Sequence, residues 1–385
     1  MLTVLFDLTI LETDTRIRGV GRHIIELARQ LAECKKVRVI FLEEISWLGR
    51  SRFTEDAPSA IARLTAPDKH FTNHKLWAYR LRLGLSRAFR ESGADLLHLP
   101  HSSATPLFAT GIKRVVTCHD LIPLRYPQHY VNWKSGFRRG RRRLDLRRFN
   151  GADRIIAISQ ATAKDLQTIL NISPMKISVV YNGVELERWR SELVASDCYE
   201  LAALGFRAKG YLLCVGDADW RKNHRGMIGA LAIVRRHLPD LKLVCAGKLT
   251  DARRRMVLNE AMRHGVGDAV ALTGHVEDAT LKALYRHALA TLFVSYAEGF
   301  GLPVVEAMAC GSPVITSDRS SMVEVSQDAA LLVDPSRNDA IAAAILAFAR
   351  DDGLRRNHIA LGLKRAKRFS LGRQARDTEA VYLSI

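Results

Sequence analysis

Two glutamates flank a glycine-containing turn in the last third of the chain. Glu298 precedes the turn, Glu306 follows eight positions later, and Pro303 favours a helix start between them. On one helix these carboxylates would lie roughly 12 Å apart along the axis, whereas paired carboxylates of glycosidases act at about 5–9.5 Å. The spacing therefore favours two hydroxyl-binding groups that hold opposite ends of an extended, phosphate-containing ligand. The alternative is a surface glutamate and a helix-capping glutamate.

The turn between these glutamates is suited to bind an anion through its backbone. An apolar run at residues 290–294 predicts a buried strand directly before it. Ligands of parallel sheets bind at the carboxyl ends of strands, and a helix N-terminus attracts negative charge. We therefore expect a phosphate or sugar to contact the turn residues, which are Gly299, Phe300, Gly301 and Leu302.

A pair of cations follows another predicted strand, Tyr211–Val215. Arg221 and Lys222 come after a loop that begins at Gly216, and Asn223 can cap the next helix. Adjacent cations at this position suit a developing diphosphate, although a solvated basic turn is equally consistent with the pattern.

An Asp-x-Asp pair in the same loop, Asp217 and Asp219, imitates a metal site. Magnesium sites combine few protein oxygens with a phosphate, and here cations already occupy the neighbouring positions. We therefore expect no metal and no cofactor apart from the substrates.

Three further turns offer candidate ligand contacts. His119 and Asp120 follow an apolar strand, where the histidine can donate to a substrate oxygen and the aspartate can bind an acceptor, or both can form a surface turn. Gly19 and Gly21 lead into a helix and allow close backbone approach, or make an ordinary tight turn. His275 and Val276 end another strand and can present backbone groups to a nucleobase, or can be a plain turn.

Residues 134–148 form a strongly basic segment with a single acid. Near an anionic leaflet each cation contributes roughly 1 kcal/mol, so peripheral membrane attraction is one interpretation. A solvated basic face is another, and nucleic acid is the third, disfavoured because stacking aromatics are few. The arginines expected at a membrane surface are Arg138, Arg139, Arg141, Arg142 and Arg143.

Composition limits the class of protein. The 385 residues carry a formal net charge of +18, which suits nucleic acid, anionic membranes or phosphorylated substrates. The six cysteines are scattered, as in reduced cytosolic proteins. The first residues do not resemble a signal sequence, and no apolar run reaches about 18 residues. We expect a cytoplasmic protein whose membrane contact is peripheral.

Short apolar runs alternate with helical patterns along most of the chain, which predicts α/β architecture with parallel, doubly wound sheets. The rhythm fails over residues 182–209, so we place the connection between two Rossmann-like domains there. The expected domains are residues 1–195 and residues 196–370, with a terminal helix at residues 371–385 completing the first.

Taken together, these stretches resemble the family 4 retaining glycosyltransferases, whose GT-B fold has two Rossmann-like domains facing a central cleft. The order of the motifs carries the resemblance: Gly19-Val-Gly-Arg22, His119-Asp-Leu121, Arg221-Lys-Asn223, Gly274-His-Val276, Glu298-Gly-Phe-Gly-Leu-Pro303 and Glu306-Ala-Met-Ala309.

The resemblance implies a role for each site residue. Glu298 and the turn amides would hold the donor sugar and diphosphate, Glu306 the ribose, and Arg221 with Lys222 the leaving phosphate, while His119 would lie beside the transferred sugar. The first domain would bind the acceptor, the second the nucleotide sugar, without metal. Asp217 stands where some relatives carry a cation, which leaves fewer cations for phosphate.

The resemblance is greatest to bacterial enzymes that add mannose or a related deoxysugar to surface polysaccharides, including lipopolysaccharide. It implies a GDP-linked donor, a lipid-linked glycan acceptor at the inner face of the membrane, and no nucleic-acid partner. The alternative is a non-catalytic protein that binds a nucleotide sugar or a polyanion on the same scaffold.

Overall fold

The computed structural model describes residues 1–17, 19–46, 50–102, 111–130 and 135–385, with all side chains except those of residues 74, 75, 82 and 135–141. It divides into two compact units. One contains Met1–Gly183 together with Leu371–Ile385, and the other contains Val184–Ser370.

The first unit is built on a seven-stranded sheet in the order β3-β2-β1-β4-β5-β6-β7. All neighbours are parallel except β3, which pairs antiparallel with β2. The strands are β1 Leu2–Asp7, β2 Val37–Glu44, β3 Arg52–Thr54, β4 Leu96–Leu99, β5 Arg114–Cys118, β6 Arg154–Ala157 and β7 Ile177–Val179. The helices are α1 Gly19–Leu31, α2 Ala57–Thr65, α3 His74–Ser92, α4 Ile122–Arg125, α5 Ser135–Asn150, α6 Gln160–Leu170 and α15 Leu371–Leu383.

The second unit has a six-stranded, fully parallel sheet in the order β10-β9-β8-β11-β12-β13. Its strands are β8 Tyr211–Val215, β9 Lys242–Ala246, β10 Val270–Gly274, β11 Ala290–Phe293, β12 Val314–Ser317 and β13 Ala330–Val333. Its helices are α7 Ser196–Ala203, α8 His224–Val234, α9 Asp251–Arg263, α10 Asp278–His287, α11 Leu302–Ala309, α12 Ser321–Ser326, α13 Asn338–Arg350 and α14 Asp352–Ala366.

Both sheets are doubly wound, because their order reverses direction once. The reversal lies between β1 and β4 in the first unit and between β8 and β11 in the second. Ligands of open α/β sheets bind beside the carboxyl ends of the strands at such a switch point. The α/β prediction is confirmed, and it directs attention to the loops that follow these four strands.

The chain passes from the first unit to the second between Gly183 and Val184, inside the predicted connection of residues 182–209 but earlier than the expected boundary after residue 195. Val184 donates its backbone N–H to the carbonyl of Phe369, at 2.8 Å, within the second unit. Asp197, on α7, binds the buried Arg286 of α10 in the same unit. The irregular stretch between β7 and β8 therefore packs with the second unit, although its composition suggested a linker.

The terminal helix α15 packs against α1 in the first unit. The buried hydroxyl of Tyr382 lies 2.6 Å from Nδ1 of His98 on β4. Within the ranges described above, no helix is both long and apolar enough to cross a membrane.

Candidate active site

Two loops at the switch point of the second sheet bring opposite charges together. Arg221 and Lys222 lie on the loop after β8, and Glu298 lies on the loop after β11, the neighbouring strand. Oε1 of Glu298 lies 2.8 Å from Nζ of Lys222, and Oε2 accepts a hydrogen bond from Nη1 of Arg221. The structure thus places three of the predicted catalytic residues in one cluster.

Glu298 remains ionised although it is buried. Burial by itself would raise the pKa of this carboxyl, but the charges of Arg221 and Lys222 outweigh that effect and lower the pKa. Nζ of Lys222 also lies 4.2 Å from the centre of the Phe293 ring, whose electron-rich face attracts a cation. Nε of Arg221 also lies 3.5 Å from Oδ1 of Asp219, so carboxylates already pair with these cations and an incoming anion must replace them.

The two loops are joined by their backbones as well as by charge. The N–H of Tyr296 donates to the carbonyl of Arg221 at 2.7 Å. Asn223 has a left-handed backbone with φ of 58°, and its side-chain amide donates to the carbonyls of Val294 and Pro335 at 3.2 and 2.6 Å. Its oxygen accepts from the N–H of Gly226, which caps α8. These contacts show how Asn223 positions the two cations.

Two serines at the start of α12 fix the turn after Glu298 by hydrogen bonds to its backbone. The hydroxyl of Ser320 lies 2.7 Å from the carbonyl of Glu298, and the hydroxyl of Ser321 lies 2.9 Å from that of Phe300. The Phe300 ring is buried against Phe369, with ring centres 5.5 Å apart. Phe300 can therefore serve a ligand only through its backbone.

Gly301 ends this turn immediately before α11. Its φ is +107°, and a Cβ there would come within 2.3 Å of the Met322 side chain. The positive φ is the reason for a glycine, since the end of the flexible Met322 side chain could move aside. Leu302 and Pro303 then begin the helix, as the position of the proline predicted.

Glu306 lies on α11 and is buried. Its Oε2 accepts a hydrogen bond from the hydroxyl of Tyr285, on α10, at 3.2 Å. The Tyr285 ring is itself buried and packs edge-on against Trp189, with ring centres 5.9 Å apart. The Glu306 carboxylate is therefore fixed in orientation by a neighbouring helix.

His275 and Val276 follow β10, at the edge of the sheet. Strand β10 is separated from β11 by β9 and β8, so three strand spacings of about 4.8 Å place this loop roughly 14 Å from the loop of Glu298. His275 is exposed and Val276 is half-buried. An extended ligand, rather than a compact one, would span this row of loops.

An arginine of α9 forms ion pairs with both carboxylates of the Asp-x-Asp pair. Nη2 of Arg253 lies 3.0 Å from Oδ2 of Asp219, and Nη1 binds Asp217. Asp219 also caps the short helical turn that carries the cations, since its Oδ1 accepts from the N–H of Arg221 at 3.3 Å. Both carboxylates thus shape the cationic loop through Arg253. Gly216, where this loop begins, has a φ of +130° and passes beside the Lys222 side chain.

His119 lies at the carboxyl end of β5 in the first unit. Its Nε2 is 2.8 Å from the carbonyl oxygen of Pro100, which can only accept, so Nε2 carries the hydrogen. Burial lowers the pKa of His119, which the Pro100 carbonyl and Asp120 oppose only in part. The ring is therefore neutral, and Nδ1 accepts hydrogen bonds, which corrects the expectation that His119 donates to a substrate.

Other histidines surround this ring. The ring centres of His23 and His101 lie 5.5 and 5.9 Å from the ring centre of His119. His98, one strand over, has its pKa lowered by burial to about 3. Burial also lowers the pKa of His23, so His23, His98 and His119 form a neutral, polar cluster.

The other three residues of the first unit that the sequence predicted as ligand contacts, Asp120, Gly21 and Gly19, have different structural roles. Asp120 is exposed, and its Oδ1 accepts from the N–H of Ile122 at 3.1 Å, as in a turn. Gly21 is needed for packing, because a Cβ there would lie 2.2 Å from the carbonyl oxygen of Thr15. Gly19, the first residue of α1, faces open space, so a ligand can approach it.

Residues 135–148 of the basic segment lie in the helix α5, and the sequence spacing permits a helix there. The side chains of Arg138, Arg139 and Arg141 lie outside the described residues. Arg142 and Arg143 are exposed, and Nε of Arg142 donates to the carbonyl of Ile169 at 3.0 Å.

Comparisons with known proteins now give this geometry a context. The model of Glycosyltransferase Family 4 matches residues 17–188, and that of Glycosyl transferases group 1 matches residues 203–365. The two matches cover most of both units in the order expected. The chain is a family 4 glycosyltransferase.

This glycosyltransferase is similar to enzymes of O-antigen synthesis. It is 28% identical to the O-antigen chain mannosyltransferase B of Escherichia coli, over 92% of this chain and 93% of that protein. It is 24% identical to the serotype-specific mannosyltransferase WbdA of Escherichia coli, over 84% of this chain but only 41% of that longer protein.

Solved structures confirm the GT-B fold of the glycosyltransferase. Anabaena HepE, in complex with UDP and glucose, matches with a TM-score of 0.75 at 18% identity over the whole of both chains. WaaG, a glycosyltransferase involved in lipopolysaccharide biosynthesis, matches with a TM-score of 0.70 at 18% identity over 98% of this chain and 99% of that one.

Tyr285 and Arg253 reach the glycosyltransferase site from elements distant in sequence, and no motif marks them. Asp7 ends β1 at the switch point of the first unit, and its fully buried Oδ2 has no hydrogen-bond partner among the described residues. The one available signal was the position of Asp7 at the end of a predicted strand.

Proposed function

We propose that this glycosyltransferase transfers a hexose, mannose or a related deoxysugar, from a GDP-linked donor to a lipid-linked or polysaccharide acceptor, with retention of configuration. The observation that carries the proposal is the contact of Glu298 with Arg221 and Lys222 at the switch point of the second sheet. The similarity to O-antigen mannosyltransferases supports the choice of sugar and acceptor.

In this proposal the donor replaces one set of ion pairs with another. The diphosphate draws Arg221 and Lys222 toward itself, and Glu298 becomes available to accept hydrogen bonds from sugar hydroxyls. A close pair of unit charges contributes about 4 kcal/mol before desolvation at an effective dielectric of 20. A helix N-terminus contributes about 0.3–2 kcal/mol. The two cations therefore dominate leaving-group stabilisation, and the amides of residues 299–302 position the diphosphate.

The rest of the donor would extend along the row of loops. Glu306, oriented by Tyr285, would bind the ribose hydroxyls, and the backbone around His275 and Val276 would contact the base. No cofactor or metal ion has a part in the proposal, because Arg221 and Lys222 meet the charge of the departing diphosphate.

Retention would arise from attack on the face that the diphosphate leaves. The bond from the anomeric carbon to the phosphate oxygen breaks, the bond to the acceptor oxygen forms, and the acceptor proton passes to the leaving phosphate. Neutral His119 would accept a hydrogen bond at Nδ1 from a hydroxyl of the transferred sugar and so orient it. Asp120 would bind the acceptor.

The acceptor would hold the protein at the inner face of the membrane. The exposed arginines of α5, with Arg142 and Arg143 as the described members, would attract anionic headgroups. Neutralising Arg138, Arg139, Arg141, Arg142 and Arg143 should then weaken sedimentation with anionic vesicles. Unchanged sedimentation would remove this part of the proposal.

A thermal-shift panel of UDP, GDP, ADP and their sugars tests the donor. All ligands are compared at one concentration, so the ligand with the lowest dissociation constant raises Tm most, and at 100 times that constant it stabilises the folded state by about 2.7 kcal/mol. We expect GDP to raise Tm most. Nuclear magnetic resonance of the first sugar product then reads its anomeric configuration. An inverted product would refute retention, and binding of a donor that is never turned over would favour the non-catalytic alternative.

A further inference from the structure

Helix α3 of the first unit carries apolar side chains on two opposite faces. One face packs into the core through Trp77, Leu81 and Leu85, all nearly inaccessible. The other face exposes Leu76, Tyr79 and Leu83, which are 51%, 54% and 60% accessible. The spacing of i, i+3 and i+7 aligns these three along one side of the helix, and we call them the outer stripe.

The helix cannot rotate to hide the outer stripe. Nε1 of Trp77 donates to the hydroxyl of Thr9 at 3.0 Å, and this bond is buried. A guanidinium nitrogen of Arg80 lies 3.2 Å from a carboxylate oxygen of Glu12. Both contacts tie α3 to the segment after β1, so the stripe stays on the surface.

The outer face of α3 changes from apolar to cationic along its length. At 100° per residue, Arg87 and Arg90 continue the line of the outer stripe into the last two turns. Both are exposed, and Arg87 also pairs with Glu91 at 2.7 Å. The whole helix carries five lysines and arginines against one acid. An apolar strip that continues into cations complements a surface of acyl chains covered by anionic headgroups.

We propose that the outer stripe of α3 inserts into the interfacial region of an anionic lipid bilayer. The apolar area it exposes is on the order of 300 Å², well below the roughly 800 Å² per partner of a stable protein interface. A bilayer needs no such matching surface, because each inserted side chain contributes independently. The proposal goes beyond sugar transfer, since it requires neither donor nor acceptor.

Vesicle sedimentation at high salt separates insertion from charge attraction. At about 1 M salt the Debye length falls to about 3 Å, so exposed arginines lose most of their attraction while apolar insertion persists. The test uses the full chain with vesicles of phosphatidylglycerol and phosphatidylethanolamine. Wild type should keep part of its binding at high salt, and the triple variant Leu76→Ser, Tyr79→Ser, Leu83→Ser should weaken that residual binding roughly tenfold or more.

The control variant removes three apolar side chains that are still more exposed but lie in the second unit: Leu193→Ser, Tyr199→Ser, Met262→Ser. It should sediment as wild type does. Equal sedimentation of the outer-stripe variant and wild type, or complete loss of wild-type binding at high salt, would overturn the proposal. A change in molar mass by light scattering without vesicles, caused by the outer-stripe variant alone, would also overturn it by showing a second copy as the occupant.

A fluorescent probe gives a second readout that does not depend on affinity. Leu83→Cys in a Cys198→Ser background offers an exposed thiol for an environment-sensitive dye, while burial raises the pKa of Cys34 to about 11 and so slows its labelling. Anionic vesicles should shift the emission of dye at position 83 to shorter wavelength, and not that of dye at Met262→Cys. Equal emission at both positions would contradict insertion, whatever the fate of donor turnover.

Discussion

The ammonium of Lys222 lies 2.8 Å from Oε1 of Glu298, and this ion pair joins the loop after β8 to the loop after β11. Arg221 binds the other oxygen of the same carboxylate. In the free protein Glu298 therefore competes with any incoming phosphate for both cations.

Glu298→Gln should separate binding from turnover. Removing the negative charge ends the competition, so GDP should bind about tenfold more tightly. Donor hydrolysis should fall at least about 100-fold, because the sugar hydroxyls lose the carboxylate that accepts their hydrogen bonds. Titration calorimetry and nucleoside diphosphate release measure the two effects. Glu260→Gln, which changes the net charge equally from α9, serves as the control. Weaker GDP binding with normal hydrolysis would contradict the proposed exchange of partners.

Tyr285→Phe should impair recognition of the ribose. The hydroxyl orients Glu306 at 3.2 Å, and loss of such a buried hydrogen bond costs about 1 kcal/mol, or roughly fivefold in affinity. The preference for GDP over 2′-deoxy-GDP should shrink by that factor. Tyr211→Phe is a matched control, because its buried hydroxyl donates to the carbonyl of Leu284. Equal discrimination in Tyr285→Phe and wild type would show that Glu306 does not bind the ribose.

Arg253→Leu should weaken GDP binding by about tenfold, because Asp217 would lose its cation and Asp219 would keep only Arg221, 3.5 Å away, and so compete with the phosphate for it. Adding Asp217→Asn and Asp219→Asn should restore affinity to within a few-fold of wild type. A multiple-mutant cycle measured by calorimetry gives the coupling. If affinity stays low in the combined variant, Arg253 itself contacts the phosphate.

These partners explain how far the sequence could predict the site. Strands such as β8 and β11 coincide with apolar runs, because central strands of a doubly wound sheet are buried on both faces. Arg221, Lys222 and Glu298 directly follow such strands, so their meeting at one edge was predictable. The pairing of Arg253 with Asp217 was not, since it joins separate elements and leaves no periodic trace.

Side-chain chemistry set a second limit on prediction. The protonated nitrogen of His119 depends on the carbonyl of Pro100, which belongs to a different strand connection. The short strand β3 and the helix α2 were also passed over, because β3 has three residues and begins with an exposed arginine. The burial of Asp7 follows from the strands on both sides of β1 rather than from its own sequence.

Asp7→Asn should stabilise the protein at neutral pH. Burial raises the pKa of Asp7 from 3.8 to about 6, so the folded state binds a proton that the unfolded state has lost. Stability contributed by this group is complete below pH 3.8 and declines as pH rises to about 6, by about 3 kcal/mol in all. The variant should therefore exceed wild type in unfolding free energy above pH 6 and lose that advantage near pH 4. Urea unfolding at both pH values measures this, and an advantage that does not change with pH would contradict it.

Release of nucleoside diphosphate from GDP-mannose and related donors tests the site most directly. Wild type should release it slowly in the absence of acceptor, Lys222→Met and Arg221→Met should each fall by about 100-fold or more, and Lys242→Met, an exposed cation at the opposite, amino end of β9, should match wild type. Hydrolysis that survives unchanged in both Arg221→Met and Lys222→Met would show that this cluster is not where the donor reacts.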